Sequence, residues 1–279
     1  MPLRKPAPTY KRQKLLLSTT ILLNTLPQPD MITLEVCANS VTSALAAQEG
    51  GAVRVELCDN LNEGGTTPSF GQIALARKLL QIQLFVIIRP RGGDFLYSEL
   101  EFEIMKEDIR RCVELNCDGV VLGILLPNGQ VDKERCRELL TLAKPLPATF
   151  HRAFDMCVDP FQALEDIIAL GFTRILTSGG ENTAAAGVSL ITQLIKQANN
   201  RISIMPGSGI NEQNLEMLLQ KTGAREFHTA AKSRVASAMV YRNSKAAMGS
   251  QADEYTSELT NSRRVKNLVK IARQVSALS

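Results

Sequence analysis

Two short stretches of the sequence place an acid and a thiol on the same face of an apolar strand. ITLEVCAN carries Glu35 and Cys37, and VRVELCDN carries Glu56 and Cys58 with the same spacing. Side chains alternate between the two faces of a strand, so each Glu-x-Cys pair points to one side. Carboxylates are rarely buried without a partner or a ligand. The repeated pair therefore marks a candidate functional site.

Other polar residues follow the apolar runs at corresponding places. Carboxylates and imidazoles can transfer protons, and arginines can hold an anion by paired hydrogen bonds. The candidate catalytic residues are Glu35, Glu56, Arg89, His151, Asp155 and His228. Gly207, Ser208 and Gly209 form a glycine-rich turn whose backbone N–H groups suit anion binding. These residues predict one pocket for a small anionic or phosphorylated substrate, although arginine and glutamate paired only with each other would also fit.

The elements that must position these residues alternate between strand and helix from Met31 onward. This alternation predicts a parallel sheet, since parallel strands need crossover connections. Eight such units in about 230 residues predict a single-domain (β/α)8 TIM barrel over 31–279. An open doubly wound sheet is the alternative, but no G-x-G-x-x-G follows the first strand. The predicted strands are 32–37, 53–58, 84–89, 118–122, 147–151, 173–177, 202–206 and 225–229.

Helix signals lie between these strands. The predicted N-caps are Ser40, Ser98, Asp159 and Asn211. Residues 229–254 show little periodicity and predict a loop, whereas 254–278 predicts a final amphipathic helix that packs on the barrel or on a second subunit. In a barrel, functional groups gather at the C-terminal ends of the strands, where the candidate residues fall. The sequence therefore predicts a site at the barrel mouth.

Composition and charge narrow the class of protein. The net charge is +4, and five basic residues against Asp30 in the first thirty residues supply all of it. A neutral body with few aromatic residues argues against nucleic-acid binding. No apolar run is long enough for a membrane span. Six cysteines without a C-x-x-C pair favour a reducing compartment, so we expect a cytoplasmic protein.

Residues 1–30 differ from the rest of the chain. A basic, proline-rich start is followed by an apolar run that polar residues interrupt. We interpret 1–30 as a disordered or extraneous extension outside the fold, with a targeting segment or an upstream mis-start as alternatives. Met31, which directly precedes the first strand, would then be a natural start.

The sequence resembles the CutC copper homeostasis protein family. The resemblance rests on LEVCANS (34–40), GGAVRVELCDNLNEGGTTPSFG (50–71), IIRPRGGDFLYS (87–98), ATFHRAFD (148–155), RILTSGG (174–180), MPGSGIN (205–211) and YRN (241–243). It covers the chain from Met31 almost to the end. It implies a (β/α)8 barrel, copper handling in the cytosol, and Cu(I) ligation by two cysteines that correspond to Cys37 and Cys58.

The positions of the two cysteines in the sequence are compatible with Cu(I) binding but also with other roles. Two thiolates on adjacent strands suit a soft ion such as Cu(I), and we expect Cys37 and Cys58 to occupy equivalent places on their strands. A third ligand would come from His151, His228 or Met205. The cysteines could instead simply pack a barrel layer. We expect copper and a small anionic ligand as partners, no nucleic acid, no membrane, and a homo-oligomer, with an enzyme or a non-catalytic interaction protein as alternative functions.

Overall fold

The computed structural model describes residues 32–243, 245–246 and 254–277. The prediction for residues 1–30 therefore lies outside the described residues. The barrel strands are β1 (Thr33–Ala38), β2 (Arg54–Leu57), β3 (Gln83–Ile87), β4 (Gly119–Leu122), β5 (Ala148–Phe150), β6 (Arg174–Thr177), β7 (Ser203–Pro206) and β8 (Glu226–Thr229). The helices are α1 (Val41–Gly50), α2 (Phe70–Leu79), α3 (Glu99–Glu114), α4 (Lys133–Ala143), α5 (Pro160–Leu170), α6 (Val188–Ala198), α7 (Leu215–Thr222) and α8 (Ser262–Ser276).

All eight strands belong to one parallel sheet. Its order is β7-β6-β5-β4-β3-β2-β1-β8, so the first strand pairs with both the second and the last. That pairing curls the sheet into a nearly closed barrel, with helices packed around it. The predicted single-domain (β/α)8 barrel is confirmed, and the doubly wound alternative is wrong. Among the described residues, no helix is both long and apolar enough to cross a membrane.

Three of the four predicted N-caps are confirmed. Ser40 and Asp159 accept hydrogen bonds from the first turns of α1 and α5, and Ser98 forms a capping box at the start of α3. Asn211 does not cap α7, which begins four residues later. Its side chain instead accepts from the N–H of Gln213 at 2.9 Å, and this local turn delays the helix.

The segment after β8 differs from the predicted loop. Two strands, β9 (Lys232–Ala236) and β10 (Thr256–Thr260), pair as an antiparallel hairpin. Their paired residues lie 20 to 28 positions apart in the chain, so local periodicity does not reveal the pairing. Helix α8 then begins at Ser262 rather than near Glu254, and buries its apolar face against the barrel.

The barrel interior is filled by side chains rather than hollow. Phe85 on β3 lies beside Gly119 on β4, its partner in the strand register. A Cβ atom on Gly119 would lie 2.4 Å from the Phe85 ring, so only glycine leaves room for that ring. The Phe85 ring supports the polar side chains described next.

Candidate functional site

The two predicted thiols meet at the barrel mouth. The Sγ atoms of Cys37 and Cys58 lie 3.1 Å apart, and both side chains are buried. The expectation of equivalent strand positions is wrong, because Cys37 pairs in register with Glu56 and the N–H of Cys58 donates to the carbonyl of Ala38 at 3.0 Å. Neighbouring strands of a barrel are staggered. The stagger places Cys58 one layer above Cys37 on the same inner face.

Glu56 completes a compact group of donor atoms. One atom each from Cys37, Glu56 and Cys58 lie within 4.8 Å of one another, and all three residues are buried. The thiol of Cys37 contacts Cys58, and this contact, together with burial and the charge of Glu56, raises its pKa well above the ordinary range. Cys37 is therefore a protonated thiol until a ligand displaces the proton.

His228 joins the two acids of the site. Its Nδ1 lies 2.8 Å from Oε1 of Glu35, and its Nε2 lies 3.6 Å from Oε2 of Glu56. Burial alone would lower the pKa of His228, but contacts with Cys37 and Glu35 and the charge of Glu56 raise it well above the ordinary range. The ring is thus an imidazolium that bridges two carboxylates.

The two carboxylates respond differently to burial. Burial would raise the pKa of Glu35, but Arg54 and His228 outweigh that effect and lower it. Burial raises the pKa of Glu56, and the charge of Glu35 adds to the rise, while His228 opposes it. Glu56 is therefore the more readily protonated of the two acids.

An ionic layer closes the barrel beneath this group. Arg54 donates through Nε to Glu35 and through Nη2 to Glu226 at 2.6 Å. Arg174 donates to both carboxylate oxygens of Glu226. Both guanidinium groups lie over the Phe85 ring, at 5.1 and 5.7 Å from its centroid.

Arg174 and Glu226 are absent from the sequence-predicted site. The sequence could have predicted the position of Glu226. It precedes His228 by two residues on β8, so both side chains face the barrel interior. The sequence EFHT of β8 repeats the acid-x-ligand pattern of the two Glu-x-Cys strands. Arg54, which precedes Glu56 by two residues on β2, also lies in this lower layer.

Arg89 and His151 occupy a different part of the mouth, between β3 and β5. Arg89 is buried and holds three loop carbonyls at 2.7 Å, those of Glu63, Gly65 and Gly93. His151 is also buried, and its Nδ1 accepts from the N–H of Ala153 at 3.2 Å.

Asp155 anchors the glycine-rich turn after β6. Its carboxylate accepts from the hydroxyl of Thr177 at 2.5 Å, from the N–H and hydroxyl of Ser178, and from the N–H of Gly180 at 3.1 Å. Arg152 donates to it as well, at 2.8 Å. This carboxylate occupies the backbone N–H groups that an external anion would need at this turn.

The turn after β7 contains the predicted anion-binding residues. The N–H of Gly207 donates to the carbonyl of Thr177 at 2.9 Å, and the Ser208 hydroxyl donates to the carbonyl of Asn182 at 2.7 Å. Ser208 and Gly209 both have positive φ angles. The structure thus distributes the candidates over a thiol group, the Arg89 region and two turns, and a single anion pocket made of all of them stays a prediction.

Comparison with known proteins places this chain in a family. The model of the CutC family matches residues 32–233. The chain is 50% identical over 244 residues to the copper homeostasis protein cutC homolog of Homo sapiens, covering 87% of this chain and 89% of that protein. It is 52% identical over 236 residues to a CutC family protein of Chromobacterium violaceum, covering 84% of this chain and 96% of that protein.

Solved structures agree with the barrel fold. A CutC protein from Streptococcus agalactiae is 43% identical, with a TM-score of 0.69, covering 72% of this chain and 99% of that chain. Thiamine phosphate pyrophosphorylase from Pyrococcus furiosus, at 16% identity and a TM-score of 0.55, shares the fold alone. The family match over most of the described barrel, together with relatives at half identity along nearly their whole length, shows that this chain belongs to the CutC family.

Proposed function

We propose that this protein binds Cu(I) through Cys37 and Cys58 and acts in copper homeostasis. The observation that carries the proposal is the contact of the two buried thiols, whose sulfur atoms lie 3.1 Å apart. Thiolates are soft ligands of the kind that bind Cu(I) and zinc. The human relative is named a copper homeostasis protein, which supports copper as the metal.

The distances suit ligation by both sulfur atoms. Two metal–sulfur bonds of about 2.3 Å span any sulfur separation up to about 4.6 Å, so both thiolates can reach one ion from near their present positions. A carboxylate oxygen of Glu56 lies in the same group of donor atoms as the two sulfur atoms, and the imidazole of His228 lies 3.6 Å from Glu56. Of the three residues considered for a third ligand, His228 is favoured by position, because its ring contacts both Cys37 and Glu56; it would bind the ion only after losing its proton.

The neighbours of the thiols suit the loss of protons on binding. A thiol must ionise to bind a metal, so binding releases protons. Glu56 contacts Cys37, and burial raises the pKa of Glu56, so this carboxylate is placed to accept a proton. Copper here is a cargo, held by residues whose protonation changes when it arrives.

A reducing compartment is part of the proposal. The six cysteines of the chain are all free thiols in the structure. A cytoplasmic location follows from that chemistry and stays a prediction, as does the homo-oligomer. The alternative function, an enzyme acting on a small anionic substrate, also stays a prediction.

The proposal is tested by replacing both ligands. The double variant Cys37→Ser and Cys58→Ser should lose Cu(I) binding measured by competition with a chelator under reducing conditions. The matched control, Cys112→Ser with Cys136→Ser, removes two buried thiols away from the mouth and should keep the wild-type affinity. Circular dichroism confirms that each variant is folded. Unchanged affinity in the folded mouth variant would show that copper binds elsewhere.

A further inference from the structure

Three buried polar atoms have no hydrogen-bond partner among the described residues. They are Nε of Arg89, the hydroxyl of Tyr97 and Nε2 of His151. Buried polar groups in native proteins are nearly always paired. Three such atoms, from the end of β3, the loop after it and the end of β5, call for a ligand that the protein chain does not supply.

All three atoms are hydrogen-bond donors. Nδ1 of His151 accepts from Ala153, and burial lowers the pKa of His151 to about 3, so the neutral ring carries its proton on Nε2. Burial raises the pKa of Tyr97 to about 12, so its hydroxyl keeps its proton. The Nε of Arg89 can only donate.

The three side chains belong to one set of contacts at this side of the mouth. The Phe95 ring contacts both Arg89 and His151, with its centroid 5.0 Å from the guanidinium carbon and 5.0 Å from the imidazole centroid. The guanidinium of Arg89 approaches the Tyr97 hydroxyl closely enough to favour ionisation of the phenol, without a well-formed hydrogen bond between them, and its charge opposes protonation of the His151 ring. Gly123 makes room for this arrangement, since a Cβ atom there would lie 2.8 Å from the His151 ring.

The charge of Arg89 has no counter-ion in the described part of the chain. Its other two nitrogen atoms donate to neutral carbonyl groups, and only 3% of the residue is exposed. A buried charge without an opposite charge is costly. The missing partner is therefore an acceptor that also carries negative charge.

We propose that Arg89, Tyr97 and His151 bind a small oxyanion, a carboxylate or phosphate group, at a site separate from the thiol pair. An oxyanion has enough lone pairs for three donors and neutralises the guanidinium. A single water molecule has two lone pairs and no charge, so it does neither. The proposal does not depend on copper binding, because the three donors belong to β3, β5 and their loops rather than to β1, β2 and β8.

The chain is well suited to a direct test, because it contains only two histidines. The full-length protein labelled with 15N-histidine gives two sets of ring signals, and His151→Asn assigns them. Asparagine can keep an acceptor near Nδ1 for the Ala153 N–H while removing the Nε2 donor. Titration with inorganic phosphate, and separately with formate, should shift the His151 Nε2 signal saturably and leave His228 nearly unchanged. The anion that binds more tightly identifies the class of ligand.

Tyr97→Phe separates binding from structure. This variant removes one unpartnered hydroxyl and should bind the anion about ten-fold more weakly or worse, while the free protein stays folded. The matched control Tyr241→Phe changes a tyrosine whose exposed fraction is 74% and should bind as the wild type does. Absence of a saturable shift at His151 with both anions, or equal affinity in Tyr97→Phe, would overturn the proposal and leave a water-filled or empty site.

Discussion

Replacing Arg54 by methionine should test whether the ionic layer under the thiol pair holds the barrel together. Only 4% of Arg54 is exposed, and it donates to Glu35 and Glu226 while its guanidinium lies over Phe85. Methionine preserves much of the side-chain length and flexibility but carries no charge. Glu226 would keep the two hydrogen bonds from Arg174, whereas Glu35 would keep only His228.

The expected cost follows from the uncompensated carboxylate. Removing one partner of a buried ion pair typically lowers the free energy of unfolding by about 3–5 kcal/mol. With a urea dependence of about 3 kcal/mol per molar, the unfolding midpoint should fall by about 1–2 M at pH 7. Adding Glu35→Gln should recover part of the loss, because the unpaired charge is then absent.

The sign of the pH dependence provides a second check. Arg54 and His228 lower the folded-state pKa of Glu35 below its unfolded value of 4.5. In the wild type, this group therefore contributes stability that is complete above pH 4.5 and declines as the pH falls further. Without Arg54, burial favours the protonated acid, so the deficit of Arg54→Met should narrow as the pH approaches 5.

The matched control is Arg201→Met. Like Arg54, Arg201 donates two hydrogen bonds to carboxylate oxygens, here both of Glu165 at 2.7 and 2.8 Å, but both side chains are about two-fifths exposed. A surface pair of this kind is worth about 0–1 kcal/mol. Equal costs for the two variants, or a cost for Arg54→Met below about 1 kcal/mol, would refute the assignment of stability to the buried layer.

Two further outcomes follow from the geometry. The pKa of Cys37 lies well above its ordinary range, so Cu(I) must displace the thiol proton in order to bind. The Cu(I) affinity measured by chelator competition should therefore rise about ten-fold per pH unit between pH 6 and 8 for each proton released. An affinity that does not change with pH would contradict a thiol ligand. Gly119→Ala should lower the free energy of unfolding by about 1–3 kcal/mol in urea denaturation, because its Cβ atom would lie 2.4 Å from Phe85. The control is Gly71→Ala in α2, where the nearest atom to the added Cβ lies 4.0 Å away. This control should leave the free energy of unfolding unchanged or raise it by up to about 1 kcal/mol.

The order and position of the strands could be predicted from the sequence. Each predicted strand end lies within two residues of its position in the structure, because period-two apolar runs and capping residues are local properties. The same parity correctly placed Glu35, Cys37, Glu56 and Cys58 on the inner face. These results need no knowledge of which strands are neighbours.

Properties that depend on register and side-chain direction could not be predicted. The stagger that sets Cys37 opposite Glu56 belongs to the closed barrel, not to either strand. Asp155 lies after β5 like a mouth acid, but its side chain turns toward the backbone of Ser178 and Gly180. The hairpin of β9 and β10 depends on pairing across a long connection, which leaves no local signal.

The charge arrangement explains why the thiols belong at the mouth rather than deeper in the barrel. Arg54 and Arg174 are matched by Glu35 and Glu226, so the lower layer is internally neutralised and its donors are engaged. Above it, the imidazolium of His228 faces Glu56, and the two thiols lie beside this pair. In the proposed site, two thiolates with one Cu(I) would together carry one negative charge. If Cu(I) binds as proposed, we expect the displaced protons to pass to Glu56, since the acceptors of the layer beneath are already occupied by arginine.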